Sequence, residues 1–275
     1  MARSRRRTYR RRRRRARLLG LAVVLLIAAG AALLITRKPD MLTERLRQAT
    51  PTPSAEAWDR TKVTREVTLP AETWYTIQTG VFSAPEAAHE KAGAYTERGA
   101  PGTVVQDGGK WRVFIASYGR EDEAAAVRQR LGEVQRVETY LYRWTCPELR
   151  LRLTGMAGQL DAAEAGLTLF SQAAALLRDT ATLLDAAQLT VEEALLAVKE
   201  LDGQISLWVT TARERFGQRP PEMVQQLLTA ADSWQTRRKA IEAADSVTTL
   251  SAELKGQGMQ MFDEMIRMRA EMGAQ

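Results

Sequence analysis

The spacing of apolar and polar positions changes several times along the chain. Leu18 to Thr36 is a run of 19 residues without a charge, mostly Leu, Ile, Val and Ala. A membrane-spanning helix needs roughly 20 apolar residues to cross a core of about 30 Å. Flanking residues and arginine stems extend this run, so 18–36 is expected to form one transmembrane helix. Residues 37–71 contain Pro39, Pro51, Pro53 and Pro70 and no apolar periodicity. This predicts a partly disordered linker, with room for a short helix over Asp40–Gln48.

Residues 72–145 read differently. Trp74 to Phe82 is rich in aromatic and β-branched residues and predicts a strand. Ser83, Pro85 and Glu86 mark a helix start, with Ser83 as cap, and Gly99 follows its end. Thr103–Gln106 is a short strand, Asp107-Gly108-Gly109 a hairpin turn, and Trp111–Ala116 the returning strand. A second helix over Glu121–Leu131 and a strand over Val137–Tyr142 complete the order βαββαβ. An internal repeat at an offset of 36 residues supports this order, aligning Tyr75 with Trp111, Gly80 with Ala116, Phe82 with Tyr118 and Ala88 with Ala124. Two such halves make an α+β, ferredoxin-like unit, a four-stranded antiparallel sheet with two helices on one face.

Period-two alternation sorts the two sheet faces. Tyr75, Ile77, Thr79, Trp111, Val113 and Ile115 are expected to face the helices. Trp74, Thr76, Gln78, Arg112 and Phe114 are expected on an opposite face open to solvent. In the last strand, Tyr140 and Tyr142 share one side and Leu141 the other, and Leu141 reads as core. Aromatic, amide and guanidinium groups on one face can stack on a sugar ring and hydrogen-bond its hydroxyl or N-acetyl groups. The plainer alternative is a solubilising surface.

From residue 147 onward, Ala, Leu, Glu and Gln dominate and predict helices. The expected spans are Thr154–Asp185, Thr190–Gly203 or beyond, one through Arg215, and Pro221 to about Glu253. A break at Gly256-Gln257-Gly258 and a last helix over Met259–Met272 follow. Thr190 and Glu193 stand in capping-box positions. Leu160, Ala163, Leu167, Phe170, Ala174, Leu177 and Leu184 form one stripe at helical spacing, and Met261, Met265 and Met268 another. These predict a mostly α-helical bundle, or a coiled coil that binds a protein partner.

Charge refines the picture. The formal net charge is +7, yet residues 1–17 hold 11 arginines and no acid, and Arg37 and Lys38 follow the apolar run. Residues 39–275 hold 27 basic against 33 acidic residues. The basic excess is therefore confined to the flanks of 18–36, which predicts a cytoplasmic Arg-rich arm (1–17) and an ectodomain outside. This distribution argues against a nucleic-acid partner. A cleaved signal peptide, suggested by Ala29-Gly30-Ala31, places the remainder in the same compartment.

One cysteine and one histidine exclude a disulfide framework and multi-His or multi-Cys metal sites. His89 reads as a surface residue of the first helix, and Cys146 lacks a sequence-adjacent base for nucleophilic chemistry. No phosphate loop, dinucleotide fingerprint or calcium loop is present. No cofactor, no metal and no catalytic residue is expected, and the chain reads as a binding protein.

The stretch Trp74-Tyr75-Thr76-Ile77-Gln78-Thr79-Gly80-Val81-Phe82 with Glu86-Ala87-Ala88 resembles the opening of a SPOR (sporulation-related repeat) domain. Trp111-Arg112-Val113-Phe114-Ile115-Ala116-Ser117-Tyr118 with Glu123-Ala124-Ala125 resembles that family's second repeat, with Ala116 where glycine is usual. The resemblance covers roughly 73–143. It implies binding of peptidoglycan glycan strands stripped of stem peptides, at septa of division or sporulation, through the sheet face. It places the family's glutamine on Gln78 and its arginine on Arg112. The expectation is a single-pass cell-membrane protein whose ectodomain binds glycan through Gln78, Arg112, Phe114, Thr76 and Trp74, while the region 147–275 recruits a protein partner. A helical scaffold with a protein-binding α+β domain, and a glycan-cleaving enzyme, are the alternatives.

Overall fold

The computed structural model describes residues 61–273. The chain runs through β1 (Lys62–Leu69), β2 (Glu72–Phe82), α1 (Pro85–Thr96), β3 (Thr103–Asp107), β4 (Lys110–Tyr118), α2 (Glu121–Gln135), β5 (Tyr140–Cys146) and β6 (Leu149–Met156). Four helices follow: α3 (Ala157–Asp185), α4 (Val191–Phe216), α5 (Glu222–Glu242) and α6 (Val247–Gly273).

Strands β2 to β5 form an antiparallel sheet in the order β3-β4-β2-β5. With α1 and α2 on one face, this is the expected ferredoxin-like βαββαβ unit. Ile77, Ile115 and Ala116 pack against Tyr95, Ala124, Val127 and Leu131, and Val113 packs against Ala88 and Ala92. Gly108 and Gly109 take φ of +56° and +71° at the β3–β4 turn. That mirror-image turn matches the right-handed strand twist. Helix α1 starts at Pro85 with Ala84 at its N-cap and no side-chain cap. Ser83 therefore does not cap it, and proline's fixed φ begins the helix instead.

A second sheet lies where other states are expected. β1 comes from the presumed linker and β6 from the presumed helical region, and they pair antiparallel from Lys62↔Met156 to Leu69↔Leu149. Val67, Leu69 and Leu149 are buried in the core that includes α3. Arg65 interrupts the apolar side of β1 and pairs with Asp161 of α3. That interruption hides the strand from a periodicity reading.

The helices follow their caps. The Thr190 hydroxyl accepts from the Glu193 amide at 3.2 Å, and Glu193 Oε2 accepts from the Thr190 amide at 2.8 Å. α4 then runs unbroken to Phe216. The break expected at Gly256–Gly258 is absent; it falls at 243–246, between α5 and α6. A Cβ on Gly258 would lie 3.3 Å from the Ala174 carbonyl oxygen and Leu177 Cβ, and one on Gly256 would lie 3.3 Å from Pro101 Cβ. These glycines let α6 approach α3 and the loop before β3 closely, and packing outweighs their low helix propensity.

The membrane expectations are corrected here. Among the described residues no helix is long and apolar enough to cross a membrane. Even α3, the most apolar, carries Asp161, Glu164, Arg178, Asp179 and Asp185. The transmembrane helix read at 18–36 lies outside the described residues, as do the arm 1–17 and most of the linker. The anchored topology, the membrane as partner and the single-pass location thus find no helix to carry them among the described residues.

Candidate functional site

The second face of the four-stranded sheet is built by cross-strand neighbours. Trp74 pairs with Trp144, Thr76 with Tyr142, and Gln78 with both Tyr140 and Phe114. Two register shifts interrupt the β2–β4 ladder, between Ile77 and Gln78 and between Gln78 and Gly80. Ile115 on β4 and Thr79 on β2 are the skipped residues. Such bulges re-aim side chains, and here they set Gln78 opposite Phe114 and Val81 opposite Arg112. Strict alternation does not foresee this re-phasing.

Gln78 and Arg112 meet at the rim of this face. Arg112 Nη1 donates to Gln78 Oε1 at 3.0 Å, and Arg112 Nε donates to Asp107 Oδ2 at 2.9 Å. The guanidinium carbon lies 4.4 Å from the centre of the Tyr142 ring. The Tyr142 hydroxyl donates to the same Asp107 oxygen. Burial, then this hydrogen bond, raises the Tyr142 phenol above its ordinary range. The cluster fixes a guanidinium over an aromatic ring, with the Gln78 amide beside it. The Arg112 side chain is 20% exposed, and Tyr140 and Val81 next to it are 52% and 44% exposed.

The other sequence-predicted residues lie deeper. Trp74, Thr76 and Phe114 are all 0% exposed. The Thr76 hydroxyl donates to the Tyr142 carbonyl at 3.1 Å. Phe262 of α6 stacks on Trp74 with centroids 4.1 Å apart, and meets Trp144 edge-on at 5.0 Å. Trp144 in turn contacts Phe114 at 5.3 Å. The guanidinium of Arg178, on α3, lies 4.6 Å from the Trp74 ring centre.

The expectation of a face open to solvent is thus overturned over most of its area. The same core that holds Trp74, Phe114, Trp144 and Cys146 also holds Leu177 of α3 and Met259, Phe262 and Met265 of α6. The apolar stripes of the C-terminal helices bury against this sheet and one another within the chain. The physical reason is area: an aromatic floor of this size gains more from an apolar helix face than from water.

Sequence reasoning left two members of the rim cluster unassigned. The pattern places Asp107 in the hairpin turn and Tyr142 on the side of the last strand opposite Leu141, and gives neither a role. Their shared signal is that both reach Arg112 across the sheet, Asp107 from the neighbouring β3 and Tyr142 from β5 on the far side of β2, visible only once the strand order is known. Asp263 of α6 borders the cluster. Its carboxyl is raised chiefly by burial; Arg267 opposes this, and Glu264 and Asp107 add to it.

Other chemistry is sparse here. Among the described residues no group of three or more His, Cys, Asp or Glu is placed to hold a metal ion. His89 is exposed on α1, on the opposite side of the sheet from Cys146. Cys146 is fully buried, and burial pushes its thiol up to about 11, with Arg269 pulling the other way.

Comparison of the whole chain with curated proteins and with solved structures gives no match. Comparison with family models gives one over part of it. Residues 71–143 match the model described as the SPOR domain, which spans the sheet β2 to β5 and its two helices. The sheet order, the 36-residue repeat and this match agree: the chain carries a SPOR domain over residues 71–143.

Proposed function

We propose that the domain at 71–143 binds peptidoglycan glycan through the second face of its sheet, and that the chain acts by binding, without a covalent step. The observation that carries this reading is the SPOR-domain match itself. The chemistry at the rim supports it. An N-acetyl carbonyl or a hydroxyl can accept from the Arg112 guanidinium and the Gln78 amide. The C–H face of a pyranose suits the exposed ring of Tyr140. Gln78 and Arg112 hold the polar contacts in this proposal, and Phe114, Thr76 and Trp74 form the floor beneath them.

The test is co-sedimentation of the full chain with purified peptidoglycan, intact or stripped of stem peptides by an amidase. High salt screens the arginines of residues 1–17. Gln78→Ala and Arg112→Ala should each lower retention by about tenfold or more, the loss expected for a hydrogen bond involving a charged group. Full retention in the double variant, with an unchanged circular dichroism spectrum, would reject this face.

A further inference from the structure

The floor of the proposed glycan face is occupied by the chain's own aromatic residue. Phe262 lies 4.1 Å from Trp74 with planes 13° from parallel. This is the plate-on-plate contact that a sugar ring makes with an indole. The rim stays within reach of solvent through Tyr140 and Val81, while the floor is sealed.

The covering layer and the SPOR domain are joined by two neighbouring chain crossings. β1 passes into β2 through Pro70-Ala71, and β5 into β6 through Pro147-Glu148. The two ladders stop on either side of these dipeptides, at Leu69↔Leu149 and at Glu72↔Cys146. Among the described residues β1 and β6 pair with each other and with no strand of the four-stranded sheet, and Arg65 ties the ribbon to Asp161 of α3, so ribbon and helices can turn as one body about the proline pair. Arg269 of α6 clamps that joint. It is 4% exposed, and its Nη1 donates to the Pro70 carbonyl at 2.8 Å and the Pro147 carbonyl at 2.9 Å.

The seam between the two bodies is polar in part and incompletely satisfied. Thr103 Oγ1, Ser117 Oγ and the Tyr118 hydroxyl are buried on the domain side without a hydrogen-bond partner. Lys255 and Ser251 of α6 turn instead to Asp185 of α3, beside a small cavity that Pro101 and Ile115 also line. Buried polar groups are normally partnered, and water would partner these three on opening.

Resting on the glycan-binding reading above, we propose that the ribbon and helices α3–α6 form a hinged, self-inhibiting cover. Phe262 holds the place of a sugar ring, and glycan reaches Trp74, Thr76 and Phe114 when the cover turns about Pro70 and Pro147. Glycan then selects the open state, and its apparent affinity is lowered by the fraction closed.

Position 256 allows the cover to be locked or wedged without touching the glycan face. A Cβ there lies 3.3 Å from Pro101 Cβ, close to disulfide spacing. Pro101→Cys with Gly256→Cys should lock the cover when oxidised and free it when reduced. Gly256→Leu favours the helix but cannot dock against Pro101. Retention of the full chain on amidase-stripped peptidoglycan is the readout, with thiol labelling of the buried Cys146 reporting opening.

The oxidised lock should bind at least about fivefold less than the same protein reduced, within the usual range of coupling between two sites. Gly256→Leu should bind more than the parent chain, and saturating glycan fragments should speed labelling of Cys146 in the parent. Equal retention of the lock in both redox states overturns the cover and leaves glycan binding standing. No retention of any form, including Gly256→Leu with Cys146 reactive, overturns the glycan reading and the cover with it.

Discussion

Phe262 of α6 stacks on Trp74 of β2 with ring centroids 4.1 Å apart, joining the last described helix to the first strand of the SPOR domain. Both side chains are 0% exposed. The contact makes a surface that sequence alone presents as a binding face into the floor of a shared core.

Phe262→Ala should therefore lower stability by about 3–5 kcal/mol, the range for truncating a buried aromatic. Urea unfolding followed by tryptophan fluorescence checks this. Phe262→Leu fills more of the space and should cost less. An effect below about 0.5 kcal/mol, the level of ordinary surface changes, would mean that the ring is not buried in solution.

Arg112→Lys should behave almost like Arg112→Ala in glycan retention. The guanidinium serves Asp107 and Gln78 through two nitrogens while lying over the Tyr142 ring. A lysine ammonium is a point charge and cannot meet these demands at once. Retention of Arg112→Lys at the parent level would show that charge alone suffices. Far-UV circular dichroism should be unchanged in both variants.

Two helical glycines should respond in opposite senses to alanine. A Cβ on Gly166 would sit 2.5 Å from the Trp208 indole, whose Nε1 donates to the Ala162 carbonyl at 2.8 Å. Gly166→Ala should destabilise by about 1–3 kcal/mol through overpacking. Gly93 lies in α1 with nothing within 4 Å of its added Cβ, so Gly93→Ala should stabilise by about 0.5–1 kcal/mol. Thermal melts of the two variants decide this pair. A stabilised Gly166→Ala would contradict the close packing of α3 on α4.

Alkaline stability should carry a contribution from Cys146. Burial holds its thiol at about 11 in the folded chain, against about 8.5 when unfolded. Between these values the unfolded state releases the proton and the native state keeps it. Stability conferred below the unfolded value is therefore lost as pH rises through the window. Tyr118, raised by burial and then by Asp185 and Glu123, extends the loss to higher pH. Urea midpoints at pH 7.5 and about pH 10 should fall less in Cys146→Ala than in the parent. Equal falls would place the thiol in contact with water.

Much of the SPOR domain is legible from local chemistry. Trp74 to Phe82 and Trp111 to Ala116 announce strands, Gly108-Gly109 a turn, and the 36-residue repeat the pairing of halves. Alternation also assigned Ile77 and Val113 to the helices and Trp74 and Phe114 to the opposite face. It erred where a local rule met a tertiary one. The glycines at 256 and 258 read as a break, yet they sit within α6, where α3 and Pro101 come within 3.3 Å of an added Cβ. β1 hid in an apparent linker because its partner, β6, lies in a region that reads as helix.

Away from the bulges at Thr79 and Ile115, the sequence by itself determined which residues share a sheet face, since side-chain direction follows from a two-residue period along one strand. It also determined the chemistry of Gln78 and Arg112 and their place on that face. Only the tertiary structure decided what lies over that face. Closing α3 and α6 onto Trp74 and Phe114 depends on apolar area brought together across long stretches of chain. Burial of such area has no direction and leaves no local mark in the residues it joins.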